Sequence, residues 1–304
     1  MTRHAAVPEL LPKGIHRAWN LPEPSLGVLW DSIIIDPARK TQLLSQAVVN
    51  FTVRPKVDRN VLPLHGVILL VGPPGTGKTS LARGLAHRVA EAFSSALMRL
   101  IEVDPHSLTS SSLGKSQRAV SDLFAQSISE AATNGPTIVL LDEVETLAVD
   151  RSKLSLDANP VDVHRATDAV LVQLDMLAEK HSNLLFVATS NFPEAVDSAF
   201  MSRCDLIMDV PLPDRAACKR ILEDCLQGLA ATFPSIGQLT QSSRFGECAD
   251  ACVGLDGRAI RKVVANALAA NPNTAIDPNK VTIDDLLAAT TYAKANRERG
   301  GKAK

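Results

Sequence analysis

No apolar run in these 304 residues approaches the ~20 that a membrane-spanning helix needs, so no such span is expected. One-sided charge is missing too: 32 basic residues stand against 33 acidic ones, a net charge of −1. That balance argues against a protein held mainly by nucleic-acid phosphates, though a local basic patch stays open. Aromatic residues make up only 4% of the chain, and none of them interleave with a basic run as a nucleic-acid surface would require. The cysteines, Cys204, Cys218, Cys225, Cys248 and Cys252, are odd in number. Cys248 and Cys252 stand four apart, but no second Cys or His pair lies at zinc-site spacing from them. They read as reduced, partly buried thiols. The seven histidines form no metal-ligand cluster. No internal repeat is visible. The opening residues, MTRHAAVPELLPKG, lack the long apolar stretch of a signal peptide, so a cytoplasmic protein is expected. Hydrophobic residues at 45% supply enough for a large core and a smaller second domain.

The most informative segment is Val67–Thr79, VILLVGPPGTGKT. Its apolar, β-branched start reads as a buried strand. Gly72-Pro73-Pro74-Gly75-Thr76-Gly77-Lys78-Thr79 is an intact G-x-x-x-x-G-K-[ST]. Glycines there let backbone N–H groups curl inward around phosphate oxygens. Lys78 supplies a point charge for the β- and γ-phosphates, the Thr79 hydroxyl is placed to ligand Mg²⁺, and Ser80 follows on the same helix. The start of that helix turns its positive dipole end to the same anion. A nucleoside triphosphate, ATP with Mg²⁺, is the expected ligand.

Residues 1–25 hold Pro8, Pro12, Pro22 and Pro24 and read as an extended arm. From 26 to 213 strand and helix patterns alternate. Five strands are expected, at Val67–Val71, Leu97–Val103, Thr137–Leu141, Leu184–Thr189 and Leu206–Val210. Most are continuous apolar runs, which suits a parallel sheet covered by helices on both faces. Helices are expected over Thr79–Phe93, Gln117–Ala132 and Val163–Ala178. After Pro213 the strand signal stops. Arg215–Leu229, Phe245–Val253, Asp256–Ala270 and Thr282–Ala293 read as helices, with Asp214 and Asp256 as N-caps. A small helical domain over 214–304, ending in a polar tail, is therefore expected.

Thr137–Glu143, TIVLLDE, is an apolar strand ending in two carboxylates. Behind a phosphate loop, Asp142 would hold Mg²⁺ and Glu143 would deprotonate the attacking water. Taken alone, the pair could equally be a solvated turn. Together these motifs resemble the AAA+ ATPases. That resemblance implies a P-loop α/β domain followed by an all-helical lid, and assembly as a ring, expected to be hexameric. It makes Asn191, at the end of LFVATSN, the sensor that places the attacking water. It makes Arg203, in Asp197-Ser198-Ala199-Phe200-Met201-Ser202-Arg203-Cys204-Asp205, a finger reaching into the next subunit's site. It makes Arg258, in Gly254-Leu255-Asp256-Gly257-Arg258, a second sensor over the phosphates. Each has a plain reading beside it: a turn cap, a surface arginine in an ion pair, and a solvated helix end.

Four segments narrow the resemblance to the pachytene-checkpoint branch, whose members remodel HORMA-domain proteins: Gly27-Val28-Leu29-Trp30-Asp31-Ser32, GPPGTGKTSL, LLDEVETLA and GLDGRAIRKV. The branch implies a HORMA-domain client gripped by central-pore loops. Its eukaryotic members carry a substantial N-terminal domain, whereas only a short arm precedes the ATPase here. That fits the minimal prokaryotic type, which is associated with anti-phage signalling. The pore loop falls on Ser110–Lys115, with Ser112 where an aromatic is expected, Leu113 as the apolar grip, and Gly114 and Lys115 beside it. A second pore loop or a plain connector fits Arg151–Pro160. The rival reading is a clamp-loader-like, nucleic-acid-associated switch, which the S-R-C around Arg203 also resembles.

Overall fold

The computed structural model describes residues 11–93, 97–108, 115–150 and 160–302. Among them, six strands form one sheet in the order β1-β3-β4-β5-β2-β6. They are β1 (Ile15–Leu21), β2 (Val67–Val71), β3 (Met98–Val103), β4 (Thr137–Leu141), β5 (Leu184–Ser190) and β6 (Leu206–Asp209). Strands β2 to β6 pair in parallel. Every residue of β4 and β5 is buried, as two-faced coverage by helices requires.

The sheet corrects the expected five strands to six. The stretch read as an extended arm supplies β1, antiparallel to β3, with Leu21 opposite Met98 and Trp19 opposite Leu100. Its sequence, IHRAWNL, hides the strand because an edge position leaves most of its residues facing solvent. Residues 24–32 then form a helix, and Pro37–Thr52 another, neither marked by a strong apolar run.

The described residues divide into two compact units: those within 11–32, 37–72 and 78–209 in the first, and those within 33–36, 73–77 and 210–302 in the second. The first is built on the sheet. Its core joins Val67, Leu69, Val139, Leu141, Phe186 and Phe124, and the two phenylalanine rings stack at 5.8 Å. One half-buried carboxylate anchors the start of β2: Asp205 accepts from the N–H groups of His65, Gly66 and Val67. The expected helix 117–132 is longer, running from Lys115 to Asn134 with a π-helical stretch at Leu123–Ile128.

The second unit is helical, with Cys218, Leu222, Leu226, Phe245, Cys248, Cys252, Ile260, Val263 and Leu286 in its core. Asp214 caps the Arg215–Ala230 helix and Asp256 the Gly257–Leu268 helix, each accepting from the backbone N–H three residues on. The last helix runs on from Ile283 to Lys302, past the expected end at Ala293, and Arg297 donates to the Gly254 carbonyl. Among the described residues, no helix is long and apolar enough to cross a membrane.

Candidate active site

Parallel register places the site. Val71 at the end of β2 lies beside Ser190 of β5, and Leu141 at the end of β4 lies beside Ala188. The residues that follow, Gly72, Asp142 and Asn191, therefore leave the sheet at one edge, where open α/β sheets bind ligands. The Lys78–Ala92 helix starts directly after the phosphate loop.

Lys78 is 5% exposed. Its Nζ donates to the Gly72 carbonyl at 2.8 Å and to Asn191 Oδ1 at 2.8 Å. One residue on, Thr79 Oγ1 donates to Asp142 Oδ1 at 2.8 Å. The same carboxylate oxygen accepts from Thr189 Oγ1, and that hydroxyl in turn accepts from the Glu143 N–H at 3.2 Å. Glu143 adopts φ 51° and ψ 54°, a left-handed conformation that a non-glycine residue holds only at a cost of about 1–3 kcal/mol. Asn191 Nδ2 donates to Glu143 Oε1 at 3.4 Å, and the Asn191 N–H donates to Glu145 Oε1 at 3.1 Å. Lys78, Thr79, Asp142, Glu143 and Asn191 thus meet in one hydrogen-bonded cluster, with Ser80 half-buried on the adjoining turn. An ammonium, a hydroxyl, two carboxylates and an amide at a helix N-terminus can hold a polyphosphate and move a proton from water.

The centre of the phosphate loop, Pro73–Gly77, belongs to the second unit. Gly75 has φ +82°, and a Cβ there would lie 2.2 Å from Asp256 Oδ1, so only glycine fits. Thr76 Oγ1 donates to the Pro73 carbonyl and shapes the turn. In the same unit the Arg258 N–H donates to the Gly75 carbonyl at 3.3 Å, while the Arg258 side chain is exposed.

Arg203 lies outside this cluster. Its Nε and Nη2 donate to the two carboxylate oxygens of Asp175 at 2.8 and 2.7 Å, and Nη1 donates to the Ala199 carbonyl at 2.7 Å. The Arg203 hydrogen bonds hold the Asp175 carboxyl below the usual carboxylate range. His65 stands 3.8 Å from Asp175, and burial pushes its imidazole pKa down. Ser112, Leu113 and Gly114 lie outside the described residues, as do residues 151–159. Lys115 opens a helix.

Sequence reasoning missed Thr189, Glu145 and Asp175. Thr189 stands two residues before Asn191 on the same strand, and Glu145 two after Glu143. Spacing offers that much of a signal, but the pairing of β4 with β5 is what makes them partners.

A P-loop strand, a paired-carboxylate strand and a polar strand end on one sheet edge define an AAA ATPase. The family model for ATPases associated with various cellular activities matches residues 68–212. The chain is 72% identical to CD-NTase-associated protein 6 of Pseudomonas aeruginosa over 304 residues, covering 100% of both. It is 34% identical to the pachytene checkpoint protein 2 homolog of Rattus norvegicus, covering 90% of this chain and 68% of the rat protein. The solved structure of C. elegans PCH-2 superimposes with a TM-score of 0.73 at 25% identity, covering 93% of this chain and 75% of that one. A chain from the E. coli MS115-1 HORMA:CdnC:Trip13 complex shares the fold, with a TM-score of 0.72 at 18% identity over 91% of this chain and 94% of its own. This chain belongs to the pachytene-checkpoint branch of the AAA+ ATPases.

Proposed function

We propose that the protein hydrolyses ATP in a ring of like subunits, a hexamer in this reading, and spends that energy opening a HORMA-domain client. The observation that carries the proposal is the cluster joining Lys78, Thr79, Asp142, Glu143 and Asn191. A buried ammonium and a helix N-terminus suit the phosphates, and the loop's non-proline residues supply backbone N–H groups for them. The Thr79 hydroxyl and the Asp142 carboxylate are adjacent hard oxygen donors, few in number, as Mg²⁺ prefers when water and phosphate complete its shell. Bound there, Mg²⁺ would neutralise charge on the β- and γ-phosphates. Glu143 takes the proton from the attacking water, and Asn191 orients that water while holding Glu143 in place. Arg203 acts across the subunit boundary on the neighbour's γ-phosphoryl, and Arg258 links the helical unit to the nucleotide.

The kind of client is supported by a relative named for CD-NTase association and by a fold neighbour solved in a complex with a HORMA protein. A role in anti-phage signalling is part of the same reading, with the 110–115 segment gripping the client. The cytoplasm is the proposed compartment.

Glu143→Gln tests the proposal. ATP binding should persist while turnover falls at least ~10²-fold. With ATP present, the same variant should retain a HORMA-domain protein from cells of its host. Turnover at the wild-type rate would remove Glu143 as the base.

A further inference from the structure

The turn after β4 and the strand end of β5 are joined by bonds running both ways. From the strand, the Thr189 hydroxyl accepts from the Glu143 N–H and donates to Asp142. From the turn, Glu145 Oε1 accepts from the Asn191 N–H at 3.1 Å. The ladder between β2 and β5 ends with Val71 and Ser190, so Asn191 is the first residue beyond it. Its backbone is therefore oriented by a side chain where a neighbouring strand no longer reaches.

Glu145 is aimed at this task by the turn itself. Left-handed Glu143 reverses the chain, and Val144–Thr146 then wind into one short 3-10 turn. The Thr146 N–H and hydroxyl both donate to the Glu143 carbonyl at 2.9 Å. A part-buried carboxylate is a costly acceptor for one neutral amide. Its second oxygen, Oε2, is buried with no hydrogen-bond partner among the described residues. Such a group calls for a reason beyond packing.

We infer that Glu145 is a positioning residue for hydrolysis, fixing the Asn191 backbone so that the Asn191 amide spans Lys78 and Glu143. The inference rests on the ATPase reading above and adds one member to that site. Glu145 acts through Asn191, whose backbone N–H it accepts from. Loss of its anchor lets the amide swing, and a displacement of about 1 Å at a reacting group costs on the order of 10² in rate.

The test is steady-state ATP hydrolysis by the full chain. Glu145→Ala should lower kcat roughly 10- to 100-fold while KM for ATP stays within about threefold, since phosphate contacts are untouched. Glu145→Gln keeps an acceptor oxygen and should recover most of the lost rate. In an Asn191→Ala background, Glu145→Ala should cause no further fall beyond about twofold, because the route of its effect is gone. Wild-type kcat for Glu145→Ala would overturn the inference, as would losses that multiply in the double variant. So would a Glu145→Gln chain as slow as Glu145→Ala and equally lowered in melting temperature, which would mark a structural role. Glu143→Gln run alongside separates the two ideas. Full turnover by Glu143→Gln sinks the ATPase reading of this site. An inactive Glu143→Gln beside a fully active Glu145→Ala sinks the positioning role alone.

Discussion

Two polar regions of the sheet unit are built on opposite plans. At the strand ends, Lys78, Thr79, Asp142, Glu143 and Asn191 bond to one another around a common centre, with Thr189 and Glu145 behind them. Around Arg203, the guanidinium fork is closed by Asp175 and Ala199 of its own chain. In the first arrangement the groups converge on one another and hold each other in place, as preorganisation requires. In the second, the plain reading of Arg203 as a paired surface arginine holds within the single chain. A finger role then requires Arg203 to exchange Asp175 for a neighbour's phosphate. The trade is accessible, because a half-exposed pair, with side-chain exposures of 23% and 41%, contributes on the order of 1 kcal/mol.

The contrast breaks most decisively at Arg203 itself. A trans arginine is worth ~10³–10⁵ in rate, so Arg203→Ala should reduce ATP turnover at least ~10³-fold in assembled protein. Mixing that variant with Lys78→Ala chains should restore part of the activity, since each supplies what the other lacks. No recovery across a range of ratios, in assemblies shown to be mixed, would leave Arg203 as the structural partner of Asp175 and nothing more.

A smaller effect separates the regions by their backing residues. Thr189→Val removes one hydroxyl at constant shape, and with it the donor to Asp142 and the acceptor for the Glu143 N–H. We expect kcat to fall about 10- to 100-fold, in proportion to the misplacement of Glu143. Asp175→Asn alters the Arg203 pair without touching the strand ends. It should leave kcat within about threefold and lower stability by no more than about 1 kcal/mol. Equal losses from the two substitutions, read by steady-state turnover and thermal melting, would erase the distinction between them.

How much of this was legible beforehand differs by element for physical reasons. The strands β2, β4 and β5 are buried on both faces and therefore read as unbroken apolar runs, Val67–Val71 to the residue. Edge strand β1 carries His16, Arg17 and Asn20 toward solvent, so no pattern in IHRAWNL separates it from a loop. Lys78, Thr79 and Asp142 declare themselves because phosphate and metal chemistry demand fixed spacings. Thr189 and Glu145 do not: a threonine in a strand and a glutamate in a turn are ordinary until register sets one strand end against the other turn. The closed state of Arg203 was just as opaque, because Asp175 is 28 residues away on a separate helix.

The mildest prediction sharpens the comparison through pH. In the Arg203 region His65 lies part-buried beside Asp175, and burial lowers its pKa below the ordinary value of 6.5. The unfolded chain then binds the proton more readily than the folded one between those two pKa values. Folding stability consequently rises with pH across that window and is lost as pH falls from about 6.5. His181 adds in the same direction, its pKa also lowered first by burial and then by Lys180. Asp175 acts in a lower window: its depressed pKa contributes stability above 3.8 that disappears only as the carboxylate protonates. Melting followed between pH 8 and 5 should therefore slope downward toward acid, and His65→Gln should flatten part of that slope. The backbone N–H at 65 still donates to the Asp205 carboxylate in that variant. An unchanged slope in His65→Gln would mean that His65 does not sense acid in the folded chain.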